Sequence, residues 1–144
     1  MTVIRQDADY ALRAMGRLAA ERGGSAVAAR RLAAETGVSP AFLSKIMQRL
    51  HEAKLVSSTM GPKGGFCLGR AAARITLLEV IEAVQGPLAM NTCLTPNGRC
   101  PRQSGCAVHT RLDRLQQTMR ESLHKVTLAQ LAAAPRRKAH GLKG

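Results

Sequence analysis

Three cysteines lie in one short polar stretch of the chain. Cys93, Cys100 and Cys106 are separated by six and five residues, and His109 lies three positions after the last of them. The stretch contains Gly, Pro and Asn but few core-forming residues, so packing, the usual role of a free cysteine, does not explain three of them. Thiols and an imidazole at this spacing are candidate ligands of a metal centre.

The gaps between the cysteines bear on what such a site would hold. Structural zinc sites commonly use cysteines about two to four residues apart, which is closer than the spacing here. An iron–sulfur cluster is also held by thiolates, and it spans a larger distance than a single ion. Three thiols leave one coordination position, for which His109 and Asp9 are both candidates. The alternative role of Asp9, or of Asp7, is to cap the first helix.

The fourth cysteine stands apart from this stretch. Cys67 follows Phe66 in a short apolar run, and we interpret it as a buried small apolar residue. There is no Cys-x-x-Cys motif, so a thioredoxin-like enzyme is not expected. We also find no nucleophile–base pair and no phosphate-binding loop, and the sequence therefore predicts a protein that is not an enzyme.

The charge of the chain indicates a polyanionic partner. Twenty-two Lys and Arg against nine Asp and Glu leave a formal net charge of +13, which is typical of proteins that bind nucleic acid. No run approaches the ~20 apolar residues of a membrane span, and no signal peptide is visible. We expect a soluble, cytoplasmic protein that binds double-stranded DNA and no membrane.

The N-terminal part predicts a helix-turn-helix. Apolar residues at helical spacing indicate one helix over 7–20 and a second over 28–36, which Gly37 ends. Ser39 and Pro40 open a third helix, as N-cap and first helical residue. Two helices joined by a short glycine-containing turn are the layout of a DNA-binding helix-turn-helix.

A β-hairpin follows directly. The residues 55–59 and 66–68 predict two short strands around a Gly/Pro-rich turn, and a hairpin in this position is a wing. A helix over 75–84 comes next, with Thr76 and Glu79 as a capping box. The fold class we expect is mainly α with a small β-hairpin wing: a winged helix-turn-helix plus a long dimerisation helix.

Polar residues of this part are candidates for DNA binding. A recognition helix uses its N-terminal turns to reach base edges, and the preceding helix contacts the backbone. Lysine at the wing tip, beside glycine, suits a close approach to the minor groove. The candidates are Arg30, Arg31, Ser39, Ala41, Ser44, Lys45, Gln48, Arg49, Lys63 and Gly64.

The C-terminal part predicts a helix that pairs with a second copy of the chain. A narrow apolar seam with two positions in seven favours helix–helix pairing over burial in a large core, so we expect a homodimer. The seam consists of Val108, Leu112, Leu115, Met119 and Val126, with Leu123 nearby.

We divide the chain into four segments on this basis. They are a DNA-binding domain (1–86), a cysteine loop that binds the cofactor (87–107), the dimerisation helix with a short helical finish (108–134), and a disordered basic tail (135–144).

Taken together, these motifs resemble the Rrf-type family of bacterial winged-helix transcription regulators, with IscR-, NsrR- and RirA-like members. The resemblance covers roughly residues 1–133. Besides the cysteine loop, it is carried by Asp9-Tyr10-Ala11-Leu12-Arg13, Gly37-Val38-Ser39, Gly61-Pro62-Lys63-Gly64-Gly65-Phe66 and Thr127-Leu128-Ala129-Gln130-Leu131.

The resemblance implies an iron–sulfur cluster, 2Fe–2S or 4Fe–4S, held by Cys93, Cys100 and Cys106. His109 matches the fourth ligand of IscR-like members, and Asp9 matches the acidic ligand that NsrR-like members contribute across the dimer. The chain departs from IscR-like proteins in two places: Met60 replaces the arginine that often precedes the Gly-Pro of the wing, and the first cysteine gap is six residues instead of five.

The function we expect is that of a homodimeric repressor whose operator affinity is controlled by a cluster sensing iron, redox state or nitric oxide. One alternative is a cluster-free winged-helix regulator with a zinc or thiol-redox site. A less favoured alternative is an iron–sulfur electron carrier or enzyme, in which the wing and the recognition helix would have no role.

Overall fold

The computed structural model describes residues 2–134 of the chain. Within them, three α-helices, one antiparallel hairpin and three further α-helices follow one another in the order that the sequence predicts. The expected fold class is therefore confirmed. The tail, 135–144, lies outside the described residues. The elements are α1 (Gln6–Ala19), α2 (Ala29–Thr36), α3 (Pro40–Glu52), β1 (Val56–Thr59), β2 (Gly65–Leu68), α4 (Leu77–Gln85), α5 (Ala107–Lys125) and α6 (Leu128–Ala133).

The helix-turn-helix forms through local signals. Gly37 ends α2 in the left-handed conformation, with φ of 71°, which glycine adopts without strain. The hydroxyl of Ser39 accepts a 3.3 Å hydrogen bond from the N–H of Phe42, and Pro40 occupies the first turn of α3. The recognition helix α3 then buries its apolar face, which consists of Leu43, Ile46, Met47 and Leu50.

The wing is attached to the body of the protein at its second strand. β1 and β2 pair from Val56–Leu68 to Thr59–Gly65, and Phe66 exchanges two 2.8 Å backbone hydrogen bonds with Val27. A side chain at Gly65 would place its Cβ 2.1 Å from the Val27 carbonyl oxygen, so only glycine fits there. Cys67 is half-buried, which corrects the expectation that it is fully buried.

The sequence predicts the N-terminal cap of α4 correctly but not that of α1. Thr76 and Glu79 form the expected capping box at the start of α4. The N-cap of α1, however, is Arg5, with no side-chain cap, so the expectation that Asp7 or Asp9 caps this helix is wrong. Both aspartates lie inside its first turn, and their carboxylates bind arginines.

The core joins the winged helix to the C-terminal helices. The main cluster of buried residues includes Leu128 of α6, whose N–H donates to the carbonyl of Ile75 at 2.9 Å. A second cluster contains Ala8, Leu78, Ile81 and Leu88, and Met119 and Leu123 of α5 pack on it.

The predicted seam of α5 therefore splits into two faces. Met119 packs against the chain's own second cluster, whereas Val108 and Leu115 are 64% and 56% exposed. The long helix is present as predicted, but only part of its apolar seam is available to a partner. The division into four segments stays a prediction.

Candidate metal centre and nucleic-acid interface

Two of the cysteines meet the histidine at the start of α5. Nδ1 of His109 lies 3.4 Å from Sγ of Cys93. Cys106 is the N-cap of α5, and its sulfur accepts a 3.4 Å hydrogen bond from the backbone N–H of His109. His109 lies in the first turn of α5 and faces the loop, as the sequence predicts. The fold thus brings the imidazole of His109 against the thiol of Cys93, sixteen residues earlier, while Cys106 contacts only the backbone of His109.

The other two candidate ligands, Cys100 and Asp9, are not hydrogen-bonded to this group in the described residues. Cys100 is half-buried and makes no hydrogen bond to Cys93, Cys106 or His109 among the contacts of residues 2–134. Asp9 lies on α1, where its carboxylate binds the guanidinium of Arg13 at 3.0 Å. Across the described part of the chain, no three His, Cys, Asp or Glu side chains are arranged closely enough to hold a metal ion. The set of donors, thiols and imidazole, suits iron–sulfur clusters and zinc, but the described geometry assembles only part of it.

Polar side chains attach residues 87–107, the predicted cysteine loop (hereafter the cysteine segment), to helices α4 and α5. The side chain of Gln116 on α5 binds the backbone at Met90 and Leu94. Glu82 on α4 accepts from the N–H of Leu88 at 3.0 Å and pairs with Arg120 through two hydrogen bonds of 2.8 and 3.1 Å. Because its guanidinium donates these bonds to the Glu82 carboxylate, the pKa of Arg120 is raised.

These anchoring residues carry no signal in the sequence that would mark their role. No pattern in the sequence distinguishes Gln116, which is 8% exposed, from the exposed Gln117 beside it. The orientation of α5 against α4 decides between them.

Most candidate DNA-binding residues lie on one exposed side of the winged helix. Among residues 2–134, Arg30, Lys45 and Lys63 have no carboxylate within salt-bridge distance, so their charges are available to a partner. Arg31 is exposed but pairs with Glu35 at 2.9 Å. Gly64 at the wing is half-buried, and the remaining exposed candidates are Ser39, Ala41, Ser44, Gln48 and Arg49.

A cavity of about 280 Å³ opens between α2, the start of α3 and the base of the wing. Arg30, Ser44 and Phe66 are among the residues that line it. Its place beside the candidate DNA-binding residues makes it part of the same surface.

Arg49 has a different environment from the other candidates. Its Nη1 donates to the carbonyl oxygen of Val84 at 2.6 Å and lies 3.4 Å from the carboxylate of Asp7. Half of its side chain is exposed, but the guanidinium is directed at α4 and α1. We therefore leave Arg49 out of the proposed DNA-contacting set and treat it as a tether of α3.

Comparisons with known proteins decide the family. The family model Rrf2, described as "Iron-dependent Transcriptional regulator", matches residues 4–134. The chain belongs to the Rrf2 family. It is 36% identical over 126 residues to Rv1287 of Mycobacterium tuberculosis, a protein named as an HTH-type transcriptional regulator; the match covers 87% of this chain and 78% of the relative.

Two further similarities come from the same family. IscR of Sodalis glossinidius is 32% identical over 124 residues, covering 86% of this chain and 74% of that protein. The structure of CymR, described as the global cysteine regulator of B. subtilis, matches with a TM-score of 0.75 and 26% identity, covering 92% of this chain and 97% of CymR.

This Rrf2 protein is accordingly a DNA-binding transcription regulator, and the expectation that it is not an enzyme is confirmed by its relatives. Among residues 2–134, no helix is both long enough and apolar enough to cross a bilayer.

Proposed function

We propose that this regulator is a homodimeric repressor whose affinity for its operator is controlled by an iron–sulfur cluster bound at Cys93, Cys100 and Cys106. The observation that carries the proposal is the 3.4 Å contact between His109 and Cys93 at the start of α5. It supports His109 as the fourth ligand from the same chain. The carboxylate of Asp9 is paired with Arg13 within α1 and would have to come from the partner of the dimer.

The family description and the IscR relative support the choice of iron–sulfur chemistry. A cluster would supply a centre that reacts with oxidants or nitric oxide, or is lost when iron is scarce. Three thiols and one imidazole are soft and borderline donors of the kind that such a centre uses. The protein's own contribution is to hold the ligands on a segment that α4 and α5 anchor.

DNA binding would use the exposed side of the winged helix. Ser44, Lys45 and Gln48 on α3 would enter the major groove, where serine, lysine and glutamine side chains can hydrogen-bond base edges. Arg30 on α2 and Lys63 on the wing would contact phosphates, which set the position on the duplex. The charge of +13 supports this assignment, since phosphate contacts supply most of non-specific affinity.

The second copy of the chain would dock on the exposed part of α5. Val108 and Leu115 are large apolar residues seven positions apart on a helix, and both are more than half exposed. Two such helices would bury them against each other as a coiled-coil pair. A dimer of this kind would present two recognition helices to two operator half-sites.

Anaerobic purification of the full chain tests the proposal. We expect a coloured protein with about one cluster's iron and sulfide per chain, and operator binding that changes when the cluster is removed. A Mössbauer spectrum then distinguishes 2Fe–2S from 4Fe–4S. A colourless protein that binds one zinc ion per chain would contradict the cluster.

One observation favours a second candidate, a cluster-free regulator with a thiol-redox or zinc site. The structure resembles CymR, a cysteine regulator, and a thiol next to an imidazole, as in Cys93 and His109, is suited to redox chemistry. In that case operator binding would respond to oxidants or zinc in protein that contains no iron.

A further inference from the structure

Gln116 is a buried amide at the base of the cysteine segment. Among residues 2–134 only Asp7 and Gln116 are buried polar residues, and Gln116 is 8% exposed. Its Oε1 accepts a 2.8 Å hydrogen bond from the N–H of Met90, and its Nε2 donates to the carbonyl of Leu94 at 3.4 Å. The two bonded residues lie on either side of Cys93, which belongs to the short helical turn Thr92–Leu94.

An amide in this position can bind backbone groups, which an apolar side chain cannot do. Burying a polar group without partners costs free energy, and packing alone would favour leucine or methionine at the site. Both ends of the Gln116 amide instead bind backbone groups of an irregular segment, where neither a helix nor a sheet satisfies them. The side chain therefore fixes the position of that backbone relative to α5.

Helix α5 also contacts the side chain of Cys93, through His109. His109 precedes Gln116 by seven residues, or two turns of α5, and its Nδ1 contacts Sγ of Cys93. The segment is thus attached to α5 twice, through the thiol of Cys93 and through the backbone on either side of it. Arg120, one turn beyond Gln116, adds the Glu82 anchor at Leu88.

We propose that Gln116 is the positioning residue of the cysteine site, which holds Cys93 against His109. The proposal deepens the proposed function, because it takes the cysteine site to be the regulatory one. It does not depend on which cofactor the site binds, since it concerns a thiol, an imidazole and an amide of this chain.

A double-mutant cycle on reduced, metal-free, full-length protein tests the proposal. The rate at which iodoacetamide alkylates Cys93 is measured by peptide mass spectrometry, with Cys67 of the wing as an internal reference. His109→Ala is expected to change the Cys93 rate in the wild-type background and to have little effect in the Gln116→Leu background. The expected coupling is roughly 2- to 100-fold, the range for residues of one contact network.

Amide hydrogen exchange supplies a second readout in the same protein. Gln116→Leu is expected to accelerate exchange at Met90, which loses its acceptor, while Gln117→Leu, at the exposed neighbouring position, leaves it unchanged. If Gln116→Leu fails to fold, Gln116→Glu replaces it: this variant keeps an acceptor for Met90 and removes the donor to Leu94, so the coupling between Cys93 and His109 should still fall.

Three results would overturn the proposal. The first is that His109→Ala does not change the alkylation rate of Cys93 in the wild-type background, and the second is that it changes this rate equally in both backgrounds. The third is that the amide exchange rate of Met90 does not respond to Gln116→Leu. None of these readouts uses iron, DNA or a dimer. Failure of the proposed function appears separately, as absence of iron or of a cluster-dependent change in operator binding.

Discussion

The guanidinium of Arg49, near the end of the recognition helix α3, donates a 2.6 Å hydrogen bond to the backbone carbonyl of Val84, at the end of α4. Carbonyls in the last turn of a helix have no partner within the helix, and a cation there also complements the helix dipole. The same guanidinium contacts Asp7 in the first turn of α1. Arg49 of α3 therefore joins α1 and α4. Its contact on α4, Val84, lies a few residues before the cysteine segment begins.

We expect Arg49→Met to lower the free energy of unfolding by about 1–2 kcal/mol, because the Val84 carbonyl and the Asp7 carboxylate both lose a charged donor. Asp7 keeps its 2.8 Å contact with Arg5, which limits the loss. Urea denaturation of both proteins measures the difference. Lys45→Met, at an exposed position of the same helix, is the control and should leave the free energy of unfolding unchanged. If Arg49→Met is as stable as the wild type, Arg49 does not tether α3.

Lys63→Met is expected to weaken DNA binding without affecting the fold. Each lost phosphate contact reduces the magnitude of the negative slope of log K against log salt concentration by about 0.9. A homodimer loses two contacts per substitution, so the slope should become less negative by about two. Binding to the operator is measured at several salt concentrations. A slope identical to wild type would exclude the substituted lysine from the interface.

Cys100→Ala distinguishes the two candidate functions. If a cluster binds at the three cysteines, the anaerobically purified variant should lose its colour and its iron, because only two thiolates are left. Cys67→Ala is the matched control, since Cys67 lies in the wing on β2 and should retain both. A Cys100→Ala protein that keeps its full iron content would remove Cys100 from the ligand set.

Leu115→Glu is expected to convert the dimer into a monomer, since it would bury a carboxylate in the apolar contact between two α5 helices. Burial of an unpaired charge is strongly unfavourable, so sedimentation should detect monomer at concentrations where the wild type is dimeric. Gln117→Glu adds the same charge to another side of α5 and should leave the dimer intact. A dimeric Leu115→Glu protein would place the interface elsewhere.

The pH dependence of stability should include a contribution from Glu79. Partial burial raises the pKa of Glu79, but hydrogen bonds from the N–H of Thr76 and the guanidinium of Arg70 outweigh it, so the pKa is lowered overall. The carboxylate therefore stabilises the fold above its unfolded-state pKa, and this stability is lost as the pH falls through the lowered folded-state value.

The measurement compares wild type with Glu79→Gln in urea titrations from neutral to acidic pH. We expect the variant to be less stable near neutrality and the difference to shrink as the pH falls. Glu52→Gln, at an exposed position, serves as the control without such a trend. A difference between Glu79→Gln and wild type that stays constant with pH would contradict the assigned cause.

The parts of the fold that depend on neighbouring residues could be predicted from the sequence. Gly37, Ser39 and Pro40 define the turn of the helix-turn-helix because each acts on the backbone within three residues of itself. Thr76 and Glu79 form their capping box for the same reason. The position of His109 in the first turn of α5 also followed from local signals, and with it the orientation toward the cysteine loop.

The parts that depend on how helices pack could not be predicted in this way. Asp7 has the residue type of a helix cap, but Arg5 and Arg49 bind its carboxylate once α3 lies against α1. The apolar seam of α5 is continuous in the sequence, yet docking on α4 partly buries Met119 and leaves Leu115 exposed.

The sequence by itself determined the winged helix-turn-helix, the long C-terminal helix and the chemistry of the three thiols and the imidazole, since residue type and local spacing are sufficient for these. Only the tertiary structure decided that Cys93 meets His109, that Gln116 and not Gln117 holds the cysteine segment, and that Arg49 binds α4. These contacts join residues far apart in the chain, and their geometry follows from the packing of whole helices, which local spacing does not encode.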